Sequence, residues 1–229
     1  MTLFLGVYLS RSFVFLFVFL MSIAGQEFSD IRAAESGTRN VICFGDSITA
    51  GYGLENAAAE SYPALLQKKL DQTRVAAESA ARWRVINAGL SGETTAGGAR
   101  RIDWVLRQPV DIFILALGGN DGLRGLDPAV SQRNLQTIID RVRARYPAAK
   151  IVLAGMMMPL SMGEDYARAF ATMYPTLATK NELTLVPFLL EGVGGRPELN
   201  QADAIHPNPA GNVLIAETLW RGIQPLITP

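Results

Sequence analysis

The chain has 229 residues, of which 49% are hydrophobic and 18% are charged, so its composition is that of a globular domain and not of a disordered chain. Lys and Arg together number 21, as do Asp and Glu, and the formal net charge is zero. Because binding to nucleic-acid phosphates requires an excess of basic residues, this balance argues against a nucleic-acid-binding protein.

The N-terminal residues have the pattern of a secretory signal peptide. Arg11 precedes an apolar run over residues 13–21, and Ala24 follows as a small residue at a suitable cleavage position. We therefore predict a signal peptide over residues 1–24, a periplasmic or secreted location, and no stable membrane insertion after its removal. The alternative is an uncleaved N-terminus that anchors the protein in the inner membrane. Arg11 argues against this alternative, because the run after it is shorter than the roughly 20 residues that a membrane helix needs.

Beyond the signal peptide, short apolar runs alternate with amphipathic stretches. The predicted strands are residues 40–44, 84–87, 111–117, 150–155 and 184–187. The predicted helices are residues 62–70, 96–106, 130–146 and 166–179, and a last helix capped by Asn208. This alternation favours an α/β fold with a single domain over residues 38–227, in which helices cover both sides of a parallel sheet.

Four polar or glycine-rich segments follow predicted strands. They are Gly45–Ser47, Asn87–Gly92, Gly118–Gly122 and Asp203–His206. Because ligands bind beyond the carboxyl ends of parallel strands, we expect the four segments to meet at one edge of the sheet. Each segment alone also has a structural explanation, such as a helix cap at Asp46 or Ser47, a turn at the glycines, or a surface histidine at His206. Their joint occurrence favours an active site.

These segments contain the groups that a serine hydrolase needs. Ser47 is the candidate nucleophile, and His206, the only histidine of the chain, is the candidate general base. Asp203, three residues earlier, is the candidate for orienting the imidazole, and a backbone carbonyl is the alternative. The N–H groups of Ser47 and Gly89 and the side-chain amide of Asn120 are candidate donors to an oxyanion. We therefore predict acyl transfer to water through an acyl-enzyme.

On these motifs the chain resembles the SGNH, or GDSL-type, serine hydrolases. The motifs are Gly45-Asp46-Ser47-Ile48, Gly89, Gly118-Gly119-Asn120-Asp121 and Asp203-Ala204-Ile205-His206-Pro207. Within the family, residues 40–226 resemble the bacterial multifunctional esterases of the thioesterase I, lysophospholipase L1 and arylesterase group. The resemblance implies a three-layer flavodoxin-like α/β/α sandwich whose five-stranded parallel sheet has the order 2-1-3-4-5. It also implies that neither a metal ion nor an organic cofactor takes part.

The resemblance further implies a small-molecule substrate, namely an aryl ester, a short-to-medium acyl ester, an acyl thioester or a lysophospholipid. In this group the loop after the third motif helps to set the fit of the acyl chain, and here that loop contains Leu123. Met157 and Pro159, which follow the fourth strand, are candidates for the acyl groove because methionine adapts to varied shapes. An ordinary core role for these residues is equally open. We expect the protein to be a monomer.

Two other functions stay open at this point. One is a carbohydrate O-acetyl esterase of the same fold, which acetylated xylan would distinguish from an esterase of p-nitrophenyl acyl esters. The other, more remote, is a non-catalytic binding module, which would not be labelled at Ser47 by a fluorophosphonate probe. The sequence determines neither the acyl-chain length nor the physiological substrate.

Overall fold

The structure is a computed structural model, and it describes residues 37–76 and 82–227. The predicted signal peptide, residues 1–24, lies outside the described residues, so both it and the domain limits at 38 and 227 stay predictions. Within the described ranges, none of the helices combines the length and the apolar character that crossing a membrane would require.

A five-stranded parallel sheet forms the centre of the fold, with the strand order β2-β1-β3-β4-β5. The strands are β1 (Thr38–Gly45), β2 (Arg82–Gly89), β3 (Ile112–Ala116), β4 (Lys150–Ala154) and β5 (Thr184–Val186). In the register of the sheet, Ile112 of β3 lies opposite Val41 of β1 on one side and Lys150 of β4 on the other. The strand order confirms the predicted topology.

Helices cover the sheet on both sides. They are α1 (Ser47–Ala50), α2 (Ala57–Glu60), α3 (Tyr62–Ala76), α4 (Thr95–Val105), α5 (Gly119–Leu123), α6 (Pro128–Arg145), α7 (Glu164–Lys180) and α8 (Pro209–Ile227). The long helices pack in two groups: α4 contacts α6, which contacts α7, and α3 contacts α8. One group on each side of the sheet gives the predicted three layers. The possible cap at Asp46 or Ser47 indicated α1. The sequence did not predict α2 and α5, because a helix of four or five residues is too short to show periodicity.

The middle strands are buried on both faces. All five residues of β3 are buried, and Val41, Ile42, Cys43 and Phe44 of β1 are 0% exposed. Such strands lack polar alternation because helices cover both of their faces. Burial also raises the pKa of the Cys43 thiol, so this side chain stays protonated and packs as a small apolar group.

His206, the only histidine in the sequence, lies directly before the start of α8. Oδ1 of Asn208 accepts the N–H of Gly211 at 3.0 Å, which confirms the predicted cap directly before Pro209. Asn200 and Pro207 form an antiparallel bridge just before this helix. His206 therefore lies in the loop that this bridge closes, directly before the capped end of the helix.

Candidate active site

Ser47 begins α1 directly after the carboxyl end of β1. Oδ1 of Asp46 accepts the N–H of Ile48 at 3.1 Å and so caps the short helix. A Cβ atom at Gly45 would lie 2.0 Å from Oγ1 of Thr49, so only glycine permits this tight turn. The strand and the turn together place Ser47 at the edge of the sheet where the other motifs end.

Ser47, His206 and Asp203 form a continuous chain of hydrogen bonds. Oγ of Ser47 lies 2.9 Å from Nε2 of His206, and Nδ1 of His206 lies 2.6 Å from Oδ2 of Asp203. Oδ1 of Asp203 accepts the backbone N–H groups of Ile205 and His206, both at 2.9 Å. The structure thus brings the three residues into the geometry that nucleophilic attack by a serine requires.

The hydrogen bonds around Asp203 decide its charge. The N–H of His206, the imidazole of His206 and the N–H of Ile205, in that order, lower the pKa of the Asp203 carboxyl to about 2. The carboxylate is therefore ionised at neutral pH, so in its hydrogen bond with His206 it is the acceptor and Nδ1 is the donor. Nε2 of His206 is then left with its lone pair directed at Ser47.

Asp46 is a buried carboxyl group beside the candidate nucleophile. It is 4% exposed, and this burial raises the pKa of its carboxyl to about 6 against the lowering effects of the Ile48 N–H and of His206. Oδ2 of Asp46 lies 3.5 Å from Nδ2 of Asn120. Asp46 therefore links the serine turn to the third motif in addition to capping α1.

Asn120 is held in place through its neighbours in α5. Its Nδ2 atom donates a hydrogen bond to the carbonyl of Glu93 at 3.1 Å. The next residue, Asp121, is 1% exposed and accepts hydrogen bonds from N–H and Oγ1 of Thr95, at 2.8 and 2.5 Å, and from Oγ of Ser131 at 3.1 Å. These bonds fasten α5 to the beginnings of α4 and α6, and so they position the amide of Asn120.

Gly89, the predicted third oxyanion donor, lies against the back of the serine turn. Its N–H donates to Oδ1 of Asn87 at 2.9 Å, and Nδ2 of Asn87 donates to the carbonyl of Thr49 at 2.8 Å. A Cβ atom at Gly89 would lie 2.2 Å from the backbone nitrogen of Ala50. The absence of a side chain at Gly89 is thus needed for the packing of β2 on α1, and its N–H is already bonded.

A second glycine of the same segment, Gly92, was not predicted as a site residue. It has φ of +78°, and within the described residues its N–H has no hydrogen-bond partner. The carbonyl of the following residue, Glu93, accepts the amide of Asn120, so Gly92 lies close to this amide. The signal available in the sequence was the pair Ser91-Gly92, which is typical of a turn that needs a left-handed residue.

An apolar cavity of about 480 Å³ opens next to these residues. The three predicted substrate-binding residues, Leu123, Met157 and Pro159, all line it. The rest of the lining is Ile48, Gly119, Met156, Met158, Phe188, Leu190, Gly194, Gly195, Asn200, Ala204 and Ile205. Because Ile48 and Ile205 are the chain neighbours of Ser47 and His206, the cavity lies beside the candidate nucleophile. We call it the apolar cavity.

Two residues that the sequence did not single out support the imidazole. The rings of Tyr52 and His206 pack together with 4.7 Å between their centroids. Gln201 connects the two loops, since its Nε2 donates to the carbonyl of Tyr52 and its N–H donates to the carbonyl of His206, both at 2.7 Å. An isolated aromatic residue in a turn produces no periodic pattern, so this contact was not predictable.

Comparison with known proteins identifies the family of this chain. The model of the GDSL-like Lipase/Acylhydrolase family matches residues 43–214. Esterase TesA of Pseudomonas aeruginosa is 38% identical over 194 residues, which are 84% of this chain and 92% of that protein. Thioesterase 1/protease 1/lysophospholipase L1 of Escherichia coli is 36% identical over 197 residues, or 86% of this chain and 88% of that protein. Arylesterase of Vibrio mimicus is 34% identical over 188 residues, which are 82% of this chain and 89% of that protein.

Solved structures show the same fold. The crystal structure of TesA superposes with a TM-score of 0.74 and 40% identity, covering 82% of this chain and 99% of that one. AlinE4, an SGNH-hydrolase family esterase, superposes with a TM-score of 0.66 and 40% identity, covering 84% of this chain and 98% of that one. Because the family model spans more than half of the chain and the relatives align with over four fifths of it, this hydrolase belongs to the GDSL-like lipase/acylhydrolase family.

Proposed function

We propose that the protein is a serine esterase that hydrolyses small carboxylic esters and acyl thioesters through an acyl-enzyme on Ser47. The observation that carries the proposal is the hydrogen-bonded chain from Ser47 through His206 to Asp203 beside the apolar cavity. Relatives named esterase, thioesterase and lysophospholipase, and arylesterase support aryl esters, short-to-medium acyl esters, thioesters and lysophospholipids as the substrate classes.

In the first step, Oγ of Ser47 attacks the carbonyl carbon of the substrate. Nε2 of His206, 2.9 Å away, accepts the hydroxyl proton as the new bond forms. The ionised carboxylate of Asp203 stabilises the imidazolium and keeps the ring in position. The acyl chain occupies the apolar cavity, where Leu123, Met157 and burial from water favour an apolar group.

The oxyanion of the tetrahedral intermediate requires preorganised donors. We propose the N–H of Ser47, the side-chain amide of Asn120 and one glycine N–H. The Asn120 amide lies 3.5 Å from Oδ2 of Asp46, and one of its N–H hydrogens leaves this long contact when it serves as a donor. Gly89 is the predicted glycine, but its N–H is bonded to Asn87 at 2.9 Å and must leave that partner in order to serve. The unbonded N–H of Gly92 favours this residue instead as the third donor.

In the second half of the reaction, the imidazolium of His206 protonates the leaving alcohol or thiol as its bond to the acyl carbon breaks. A water molecule then attacks the acyl-enzyme, with His206 again accepting a proton, and the acid leaves as Ser47 regains its hydrogen. Side chains and backbone groups of the chain perform every one of these steps, so the proposed reaction requires neither a metal ion nor an organic cofactor.

The apolar cavity also bears on the alternative of a carbohydrate O-acetyl esterase. An acetyl group would leave most of a cavity of about 480 Å³ unfilled, so the cavity favours longer acyl chains. The remaining alternative, a binding module, gives no reason for the serine hydroxyl to be bonded to an imidazole.

We further propose that the mature protein is a periplasmic or secreted monomer. The signal-peptide pattern of residues 1–24 supports the location. N-terminal sequencing of the protein from a periplasmic extract should begin at Gly25, and size-exclusion chromatography with light scattering should give the monomer mass. A full-length N-terminus in the membrane fraction would support the anchored alternative.

The proposal is tested by the Ser47→Ala variant with p-nitrophenyl acyl esters. We expect kcat to fall by a factor on the order of 10⁴ or more, and we expect a fluorophosphonate probe to label the wild type but not the variant. Ser161→Ala removes an exposed serine that belongs neither to the lining of the apolar cavity nor to the four motif segments, and it serves as the matched control with the turnover of the wild type. Full turnover by Ser47→Ala would refute the proposal.

A further inference from the structure

A second cavity, also of about 480 Å³, lies beside the same site and has a different chemistry. It is formed by residues 90–94, by the first turns of α4 with Arg100 and Arg101, and by Arg124 directly after α5. We call it the polar cavity. Its lining includes Gly92, but the proposed catalytic steps use none of its charged side chains.

The polar cavity is joined to the candidate oxyanion donors by hydrogen bonds. Its wall residue Glu93 accepts the side-chain amide of Asn120 through its carbonyl at 3.1 Å. Nη2 of Arg124 donates to the carbonyl of Gly92, also at 3.1 Å. Leu123 lines the apolar cavity whereas Arg124, the next residue, lines the polar one. The end of α5 therefore separates the two cavities, and the reacting carbonyl would lie between them.

The polar cavity has a net positive charge. Arg101 forms an ion pair with Glu93, so these two charges compensate each other. Arg100 and Arg124 are exposed, and within residues 37–76 and 82–227 neither makes an ion pair with a carboxylate. Two uncompensated guanidinium groups thus line a cavity next to a site for uncharged carbonyl chemistry. Guanidinium groups bind phosphate oxygens in a bidentate manner, which makes a phosphate the fitting ligand.

Backbone groups at the start of α4 do not replace the arginines in this role. The N–H of Thr95 donates to Asp121 at 2.8 Å, and the N–H of Gly97 donates to Oγ1 of Thr94 at 3.3 Å. These donors are already used inside the protein. Arg100 and Arg124 are therefore the uncompensated charges that attract an anion to this cavity.

We propose that the polar cavity binds a phosphate group carried by the leaving alcohol or thiol of the substrate. This inference rests on the proposed function, because it divides one ester or thioester between two cavities. The acyl chain enters the apolar cavity, and the part that leaves, with its phosphate, lies against Arg100 and Arg124. The phosphate itself is not transformed, since only the bond between the acyl carbon and the leaving oxygen or sulfur breaks.

The contact predicts a particular kinetic effect. The phosphate lies away from the reacting carbon, so its interaction with the arginines is the same in the bound substrate and in the transition state. An interaction of this kind lowers KM and leaves kcat largely unaffected. Because the guanidinium groups are exposed, salt screens the attraction, and KM for a phosphate-bearing substrate should rise with ionic strength.

The experiment compares two pairs of substrates that share an octanoyl chain and differ by one phosphate. The ester pair is 1-octanoylglycerol 3-phosphate and 1-octanoylglycerol. The thioester pair is S-octanoyl-4′-phosphopantetheine and S-octanoylpantetheine. For each pair, the KM ratio of the phosphate-free substrate to the phosphate-bearing one measures the contribution of the phosphate. The two pairs distinguish a lipid headgroup from a pantetheine phosphate as the source.

The test variant is Arg100→Gln combined with Arg124→Gln, and the control is Arg133→Gln. Arg133 is an exposed residue of α6 outside the lining of the polar cavity, so its replacement also removes an exposed positive charge. In the double variant we expect the KM ratio to fall by about three- to tenfold, which lies within the range for the loss of two exposed charge pairs. In the control we expect no change. Thermal unfolding verifies that each variant is folded, and the Arg100→Gln single variant keeps the bond from Arg124 to Gly92.

The outcomes separate this inference from the proposed function. A fall of the ratio in both pairs supports a general phosphate site, and a fall in one pair alone supports that source. An unchanged ratio in both pairs, an equal fall in Arg133→Gln, or failure of the wild type to hydrolyse any phosphate-bearing substrate would overturn the inference. Hydrolysis of the phosphate-free substrates in the same assays shows whether the proposed function itself holds.

Discussion

Oγ of Ser47 and Nε2 of His206 lie 2.9 Å apart although 159 positions of the chain separate the two residues. Ser47 follows β1, which lies inside the sheet. His206 follows β5, which lies at the sheet edge three strands away from β1. The segment that leads from β5 back towards Ser47 ends in a tight turn. In this turn Ala204 has φ of +56°, and the N–H of Gln201 donates to the carbonyl of His206 at 2.7 Å. The geometry of the proposed triad therefore depends on the turn that carries His206 as well as on the sheet.

The first prediction concerns Asp203 and the orientation of this imidazole. In Asp203→Asn the side-chain oxygen can still accept the backbone N–H groups, which directs the new NH₂ group at Nδ1 of His206. An amide there donates, so it favours the tautomer whose proton is on Nε2, and this nitrogen can no longer accept from Ser47. We expect kcat for p-nitrophenyl acyl esters to fall by about 10³- to 10⁴-fold while the fold is retained.

Asp165→Asn is the control for this variant, because Asp165 is a fully exposed carboxylate on α7. Its kcat should equal that of the wild type. If kcat of Asp203→Asn stayed within threefold of the wild type, a backbone carbonyl would have to orient the ring instead.

The second prediction separates the two glycines after β2. In Gly89→Ala the new Cβ atom would lie 2.2 Å from the backbone nitrogen of Ala50, and backbone cannot move aside as a side chain can. In Gly92→Ala the nearest atom would be Nη2 of Arg124 at 3.9 Å, so only the left-handed conformation is unfavourable. We expect the free energy of unfolding to fall by about 3 kcal/mol or more at Gly89 and by about 1 kcal/mol at Gly92.

Urea denaturation of both variants measures the difference. Gly89→Ala should also lose activity, because relief of the clash displaces the helix that begins with Ser47. Equal stabilities of the two variants would contradict the packing role of Gly89.

The parallel sheet and the candidate triad were predictable from residue patterns, whereas the strand order was implied only by the resemblance to the SGNH hydrolases. Apolar runs without polar alternation mark the buried strands, and a parallel sheet brings the segments after them to one edge. The roles of Gly89 and Gly92 could not be separated in this way, since backbone direction within a turn depends on tertiary packing. The sequence also contained no indication of the polar cavity, because Arg100 and Arg101 have the pattern of an ordinary solvent-exposed helix face.

The third prediction concerns Asp46 and the dependence of stability on pH. Burial raises the pKa of this carboxyl from 3.8 to about 6, which corresponds to about 3 kcal/mol. Below about pH 3 the group is protonated in both the folded and the unfolded protein, so it adds no pH dependence there. As pH rises from about 4 to 6, the unfolded chain releases its proton first, so the folded protein loses stability, and the loss is complete above about pH 6.

The neutral variant Asp46→Asn lacks this titration and serves as the reference. The free energy of unfolding of the wild type, minus that of Asp46→Asn, should therefore decrease by about 3 kcal/mol between pH 3 and pH 7. Urea unfolding across this pH range measures it, with Asp165→Asn expected to show a flat difference. A difference that rose with pH would mean that the ionised form of Asp46 is the stabilised one.

The fourth prediction uses the contact between α5 and the apolar cavity to alter the acyl-chain preference. A Cβ atom at Gly122 would lie 2.2 Å from Sδ of Met158, whose flexible side chain must then move. Because Met158 lines the apolar cavity, we expect Gly122→Ala to push the thioether into it and shorten the space for the chain. Met158→Ala removes the same side chain and should lengthen this space.

The measured quantity is the ratio of kcat/KM for p-nitrophenyl decanoate to that for p-nitrophenyl butanoate. We expect it to fall about three- to tenfold in Gly122→Ala and to rise by a similar factor in Met158→Ala, since a few methylene groups in an apolar pocket account for such differences. Met162→Ala, a methionine outside the cavity lining, should leave the ratio unchanged. Shifts in the same direction for both test variants would show that acyl chains bind elsewhere, because steric filling and emptying of one cavity must act in opposite directions.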